Sequence, residues 1–341
     1  MKGRIIALGE LNGNEAAALL VDGRLDDLLL ETDAPAPGTI YRATAGRPIK
    51  GQGGMFVNTP DGTGFLRQVK GLAPGDTLLV QVTGFAEPGK AMPVTQKLLF
   101  KSRYAIITPS APGINVSRAI KDDDLRDRLL EIAHEEMAGN AMGLILRSSC
   151  ADADADDIAQ DIAQMRDLAA TVTGDATGTA PEKLLDGDGP HTLAWREWVE
   201  PADVNSDAAS FADLGVLDQI DMLRDVKAPL PGGASIYVEP TRALTAVDVN
   251  TGADTSPAAG LKANLAAARE LPRQLRLRGI GGQITLDLAP MNKKDRRQFE
   301  TTLRAAFRAD QVETALVGWT PLGHFELQRK RDRVALSEII T

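Results

Sequence analysis

Residues 243–250 read ALTAVDVN and residues 283–290 read QITLDLAP. Each is a short apolar run bounded by turn formers, which predicts a buried strand. Each also carries one carboxylate, Asp248 and Asp287. Between them, residues 258–278 are rich in Ala, Leu and Arg and predict a helix, which Gly281-Gly282 closes off. Upstream, Pro231-Gly232-Gly233 makes a turn before a strand at 234–240 (ASIYVEP). Downstream, residues 293–310 (KKDRRQFETTLRAAFRAD) form a basic amphipathic helix, 312–319 (VETALVGW) a third strand, and HFELQRKRDR follows at 324–333. Strands alternating with helices predict an α/β layer over residues 214–341.

A carboxylate at the end of a buried strand is costly unless it is paired or holds a metal. Two carboxylates brought together repel, and one is driven to protonate. A divalent cation removes that conflict. Mg²⁺ is commonly held by one or two carboxylates while it keeps waters and phosphate oxygens. Asp248 and Asp287 lie 39 residues apart with one helix between them, so their strands are expected to be neighbours. In open α/β sheets the C-terminal ends of strands are where ligands bind. Asn250, two residues beyond Asp248, faces the same side of an extended strand. Asp-x-Asn-x-Gly is also good turn chemistry. On spacing alone, a turn or cap role competes on even terms with a metal role.

The remaining sequence divides by composition. Residues 1–36 open with short strands punctuated by Asn12-Gly13 and Asp22-Gly23, which are hairpin signals. Residues 37–100 hold many short apolar runs between glycines, the pattern of a small barrel. Residues 101–171 contain an amphipathic helix at 121–137, a strand at 142–149 and a second helix at 151–171. Residues 172–189, small and polar, predict a linker or exposed loop within a segment running to 213.

The 341 residues suffice for two or three domains. No apolar stretch is long enough to span a bilayer, and no signal peptide is expected at the start. One cysteine, Cys150, excludes an internal disulfide framework. A reducing cytoplasm is the expected compartment. The net charge of −9 argues against a polyanionic partner, but its distribution does not. Residues 121–225 hold 25 acidic and 8 basic side chains, whereas 261–341 hold 15 basic and 9 acidic.

Three stretches closely resemble the catalytic domain of the ribonuclease E/G family: GGASIYVEPTRALTAVDVNTG (232–252), NLAAARELPRQLRLRGIGGQITLDLAPM (264–291) and LGHFELQRKR (322–331). The resemblance implies an α+β multidomain fold. Its parts are a reduced RNase H-like portion, an inserted S1/OB-type barrel, a 5′-sensor region and an α/β, DNase I-like catalytic domain. It implies that Asp248 and Asp287 bind the catalytic Mg²⁺, with Mn²⁺ able to substitute, and that Asn250 assists. Upstream, GGMFVNTPDGTGFL (53–66) resembles the family's S1 subdomain, with Phe56 and Phe65 as base-stacking aromatics and Lys90 as an RNA contact. The residues alone favour barrel core for both rings. GINVSRAI (113–120) and MGLILRSS (142–149) resemble the 5′-sensor, implying that Arg147 and Ser148, with Arg118, hold a 5′-monophosphate. A strand-end surface charge is the alternative for Arg147. The partner so implied is single-stranded RNA, not a membrane.

The departures are specific. Ala253 stands where the family has a basic residue. Pro272 replaces an apolar residue and is expected to kink or shorten its helix. His324 occupies an apolar position and reads as packing. The basic side chains Arg273, Arg276, Arg278, Lys293, Lys294, Arg296 and Arg297 are expected to face phosphates or solvent. The family's zinc-link cysteines and C-terminal scaffold have no counterpart in these residues, so a homodimer would use a non-zinc interface. Two rival readings stand beside a nuclease: an RNA-binding protein with weak or no cleavage, and a phosphoesterase acting on a small substrate.

Overall fold

The computed structural model describes residues 2–49, 53–67, 69 and 71–340. The chain forms two compact units: one runs to Thr32 and resumes at Pro201, and the other spans Asp33–Glu200. Among the described residues no helix is long and apolar enough to cross a membrane.

The chain opens with β1 (Arg4–Leu11), β2 (Asn14–Val21) and β3 (Arg24–Leu30), an antiparallel meander. Its two-residue turns put Asn12 and Gly13, then Asp22 and Gly23, at positive φ. That is the geometry Asn-Gly and Asp-Gly favour.

In the second unit, β4 (Ile40–Ile49), β5 (Gly54–Thr59), β6 (Gly62–Arg67), β7 (Thr77–Val82) and β8 (Met92–Thr95) close into a five-stranded barrel in the order β4-β5-β6-β8-β7, with β7 returning to β4. Met55, Val57, Leu66, Val80 and Val94 fill it. A smaller sheet follows, from β9 (Phe100–Lys101), β10 (Ala105–Thr108), β11 (Ile114–Val116) and β12 (Gly143–Leu146). Helices α1 (Asp123–Glu136) and α2 (Ala155–Gly174) pack on it through Leu129, Ala133, Ile158 and Ile162. The stretch read as a linker is tied down: β13 (Glu182–Leu185) pairs with β4. Glu182 meets the guanidinium of the buried Arg42 there, which explains why a small, polar segment is held in place. Helix α3 (Pro190–Glu197) ends the unit.

The first unit resumes with β14 (Asp203–Asn205), parallel to β1, and with α4 (Ser210–Asp213) and α5 (Val216–Met222), which pack on the meander through Phe211, Val216 and Ile220. The last sheet has β15 (Lys227–Pro229), β16 (Ser235–Pro240), β17 (Thr245–Asn250), β18 (Gly282–Asp287), β19 (Thr314–Trp319) and β20 (Phe325–Arg329). Their order is β15-β16-β17-β18-β20-β19, and only β17 and β18 run parallel. Helices α6 (Ala259–Leu277) and α7 (Lys293–Ala309) cover one face, and α8 (Leu336–Ile339) lies near the end.

Two expectations change here. Residues β17 and β18 contribute alternate between buried and exposed, so these strands are half-buried rather than buried. Val247, Val249, Ile284 and Leu286 meet Ala267, Leu271, Phe299 and Leu303, while their neighbours face out. Helix α6 also runs through Pro272 to Leu277 without being shortened. Burial on both sides of Pro272 outweighs its cost of roughly 3 kcal/mol.

Of the arginines expected at the surface, Arg276 and Arg278 are buried and Arg273 is half-buried. Arg276 reaches Asp26, Asp27 and Asp310, and Arg273 pairs with Glu270 and the Leu25 carbonyl. Arg278 donates to the carbonyls of Leu223 and Asp225. Their stems run inward because α6 packs against β3 as well as the last sheet. A helix with two packed faces has few positions left for solvent. Lys293, Lys294 and Arg297 are exposed as expected, and Arg296 stacks on Trp319, 4.3 Å from the ring centroid.

Candidate active site

The register of the parallel pair sets Asp248 directly beside Asp287. The inward positions of β17 and β18 are taken by core side chains, so both carboxylates point away from α6 and α7 into solvent. The Asp287 side chain is 70% exposed. Asp248 pairs with no Lys, Arg or His among the described residues. Neighbouring strands lie about 4.8 Å apart, so two like charges share one edge with no lysine or arginine paired to either among the described residues. Such an arrangement suits a hard divalent ion that keeps most of its own water. Among the described residues no group of three or more His, Cys, Asp and Glu is gathered as a cation site, so the protein's share would be this pair and an amide.

That amide is Asn250, one pleat further along β17 and exposed. Its Oδ1 accepts from the Gly252 N–H at 2.9 Å, which fixes the side chain and leaves Nδ2 to donate. Gly252 has φ +64°, and a Cβ there would lie 2.2 Å from the Gly233 carbonyl oxygen, so the turn after Asn250 tolerates only glycine. The segment after Asp287 is clamped too. Asn264, fully buried on α6, donates to the Ala289 carbonyl at 2.8 Å and accepts from the Ala289 N–H at 3.0 Å. Gly260 lets the first turn of α6 approach the Pro290 carbonyl, where a Cβ would come within 1.9 Å. His324, read from sequence as packing, instead has Nε2 3.7 Å from Asp287 Oδ1 and is partly exposed. Its unusual position in LGHFELQRKR is the signal that could have marked it.

On the barrel, Phe56 and Phe65 are direct partners across β5 and β6, with ring centroids 5.6 Å apart. They alternate with the core residues Met55, Val57 and Leu66, and Phe56 is 43% exposed. Both rings therefore lie outside the barrel core that the residues alone suggested. Lys90 is exposed beside Glu87, just before β8, which runs parallel to β6.

Arg118, Arg147 and Ser148 follow the ends of β11 and β12, parallel neighbours paired Val116 to Leu146, so the structure brings them to one edge. Arg118 and Ser148 are exposed. Arg147 is not free: it donates to the carbonyls of Ser102 and Arg196 and pairs with Glu197 at 2.6 Å. Glu197 also meets Lys101 at 2.7 Å and Arg196 at 2.7 Å. Burial alone would raise its carboxyl, but Lys101, Arg147 and Arg196 override this and hold it at about 2. Nothing in the sequence singled out Glu197, because two of its three partners, Lys101 and Arg147, are far away along the chain.

The Ribonuclease E/G family matches residues 100–205 and 195–332 of this chain. A ribonuclease E from Nostoc sp. is 28% identical over 96% of this chain and 56% of its own length. One from Synechocystis sp. is 27% identical over 96% of this chain and 57% of its own. A ribonuclease G from Salmonella typhimurium is 27% identical over 78% of this chain and 62% of its own. The chain thus spans a little over half the length of the first two.

Proposed function

Starting from a chain that belongs to the ribonuclease E/G family, we propose that it is a Mg²⁺-dependent endoribonuclease. It cleaves single-stranded RNA to 5′-phosphate and 3′-hydroxyl ends, in RNA processing or decay. The observation that carries this reading is the register of Asp248 beside Asp287 on an open sheet face, with no lysine or arginine paired to either among the described residues. When bound there, Mg²⁺ (or Mn²⁺) supplies Lewis-acid stabilisation of the charge that develops on the scissile phosphate. The two carboxylates hold the ion, and the Asn250 Nδ2 donates to a phosphate oxygen or to the attacking water. Water attacks phosphorus, the bond to the 3′-oxygen breaks, and a proton passes to that oxygen. Asn264 keeps Asp287 in place by clamping the segment after it.

Phe56 and Phe65 stack the bases of the strand on the barrel's outer surface, and Lys90 meets its backbone. Arg147, Ser148 and Arg118 attract a 5′-monophosphate, which competes with Glu197 for Arg147. The meander acts as a reduced RNase H-like part, the barrel as an S1 domain and the last sheet as a DNase I-like domain. The protein works in the cytoplasm.

Incubating a 5′-monophosphorylated, AU-rich single strand with the protein tests this. Cleavage should require Mg²⁺ or Mn²⁺, stop with a chelator, and leave a ligatable 5′-phosphate. Tight binding without cleavage would leave an RNA-binding protein in its place.

A further inference from the structure

Tryptophans 195 and 198 are one helical turn apart and differ sharply. Trp198 is 2% exposed and belongs to the interior, whereas Trp195 is 53% exposed. The outward ring is nevertheless held. The Arg103 guanidinium lies 5.3 Å from its centroid and donates to the Trp195 carbonyl. Tyr104 meets it edge-on with centroids 6.5 Å apart. The Arg103 carbonyl in turn accepts from the Ser149 hydroxyl. The buried Asp161 fixes the same loop through the Ser102 hydroxyl and the Tyr104 N–H. An exposed ring braced by a cation and a tyrosine, on a loop that a buried carboxylate fixes, is a preorganised surface, not a loose side chain.

The charges around it point to the ligand. Lys101, Arg103, Arg147 and Arg196 gather near Trp195; Asp188 and Glu197 oppose them in ion pairs, and Asp161 adds a third carboxylate beneath the loop. This leaves an excess of one positive charge within a region of the chain that is otherwise strongly acidic. Arg147 donates to the carbonyl of Arg196, the residue after Trp195, so the ring and the Arg147 edge are close neighbours. A flat aromatic face beside surplus guanidinium charge suits a planar base joined to a phosphate.

We propose that Trp195, backed by Arg103, is a stacking platform for the base of a 5′-phosphorylated nucleotide whose phosphate is drawn to Arg147 and Ser148. This rests on the RNA reading above and adds a base contact to it. Arg147 is already partnered by Glu197, so a phosphate gains less there than at a free guanidinium, and base stacking supplies the missing orientation.

The test is the red-edge fluorescence of the exposed tryptophan in the full chain, titrated with the phosphorylated dinucleotide pApA. Ribose 5-phosphate and inorganic phosphate serve as base-free controls. Saturable quenching by pApA alone is expected. Measured by titration calorimetry, which does not need the indole, Trp195→Ala should weaken pApA binding by about 5- to 100-fold, and Trp195→Phe should hold it within a few-fold. Unchanged affinity in Trp195→Ala, or equal quenching by ribose 5-phosphate, would overturn the platform. Cleavage of a 5′-hydroxyl RNA in Mg²⁺ separates the two proposals. Normal cleavage with no base-dependent quenching removes the platform and leaves the nuclease, and quenching without any cleavage does the reverse.

Discussion

Two groups of carboxylates in the unit that holds the last sheet meet opposite surroundings. Asp310 is wholly buried, and its two oxygens are taken by Arg276 and Arg329. Asp27 is almost as buried and meets Arg276 and Arg333. On the opposite face of the same sheet, Asp248 and Asp287 stand side by side in solvent, with only the loose approach of His324 to Asp287. Buried charges that are fully paired serve the fold, because any one of them left alone would carry a large desolvation cost. Exposed like charges set in register, with no lysine or arginine paired to them among the described residues, gain nothing for the fold. Their geometry makes sense as a place for something that is not protein.

The contrast can be broken first at its buried end. Asp310→Ala leaves the buried Arg329 without a carboxylate and takes one of three from Arg276, and should destabilise the protein by about 3–5 kcal/mol in urea unfolding. A loss below about 1 kcal/mol would mean that this network is not holding α6, α7 and β20 together.

The Glu197 cluster comes next. Its carboxyl is held at about 2 in the folded chain, below an ordinary glutamate. A depressed folded value contributes stability that is present above the unfolded value near 4.3. That contribution is lost as pH falls from there towards 2, and amounts to on the order of 2–3 kcal/mol. Unfolding measured across that window should show a limb that Glu197→Gln lacks. Identical acid limbs in the two proteins would contradict the pairing.

Phe56→Ala is a smaller test on the same scale. The ring is exposed, so unfolding should shift by no more than about 0.5 kcal/mol. RNA affinity should fall by the equivalent of about 1–3 kcal/mol. A stability loss without an affinity loss would return Phe56 to a packing role.

Much of this arrangement was legible from local signals. Asn12-Gly13 and Asp22-Gly23 set the meander, and the spacing of Asp248 and Asp287 around one helix anticipated neighbouring strands. The exposure of the pair was not legible, because an apolar run with small outward residues such as Ala246 and Thr285 looks the same in a buried strand and a half-buried one. Arg273, Arg276 and Arg278 read as surface charge because their acceptors, Leu25, Asp26, Asp27 and Asp225, come from distant parts of the chain. Glu182 and Glu197 were missed for the same reason: each is fixed by a remote arginine, and nothing in its own neighbourhood announces it.

The smallest expected change in stability carries the most weight. Asp248→Asn and Asp287→Asn keep the shape of the site and remove one of two adjacent negative charges. Unfolding and Mg²⁺-dependent cleavage of single-stranded RNA should be measured on the same preparations. The expected result is stability within about 0.5 kcal/mol of the parent and cleavage reduced by about 10²-fold or more. Wild-type cleavage by either variant, or a loss of activity that merely follows a loss of folding, would contradict the assignment of this pair as the catalytic metal site.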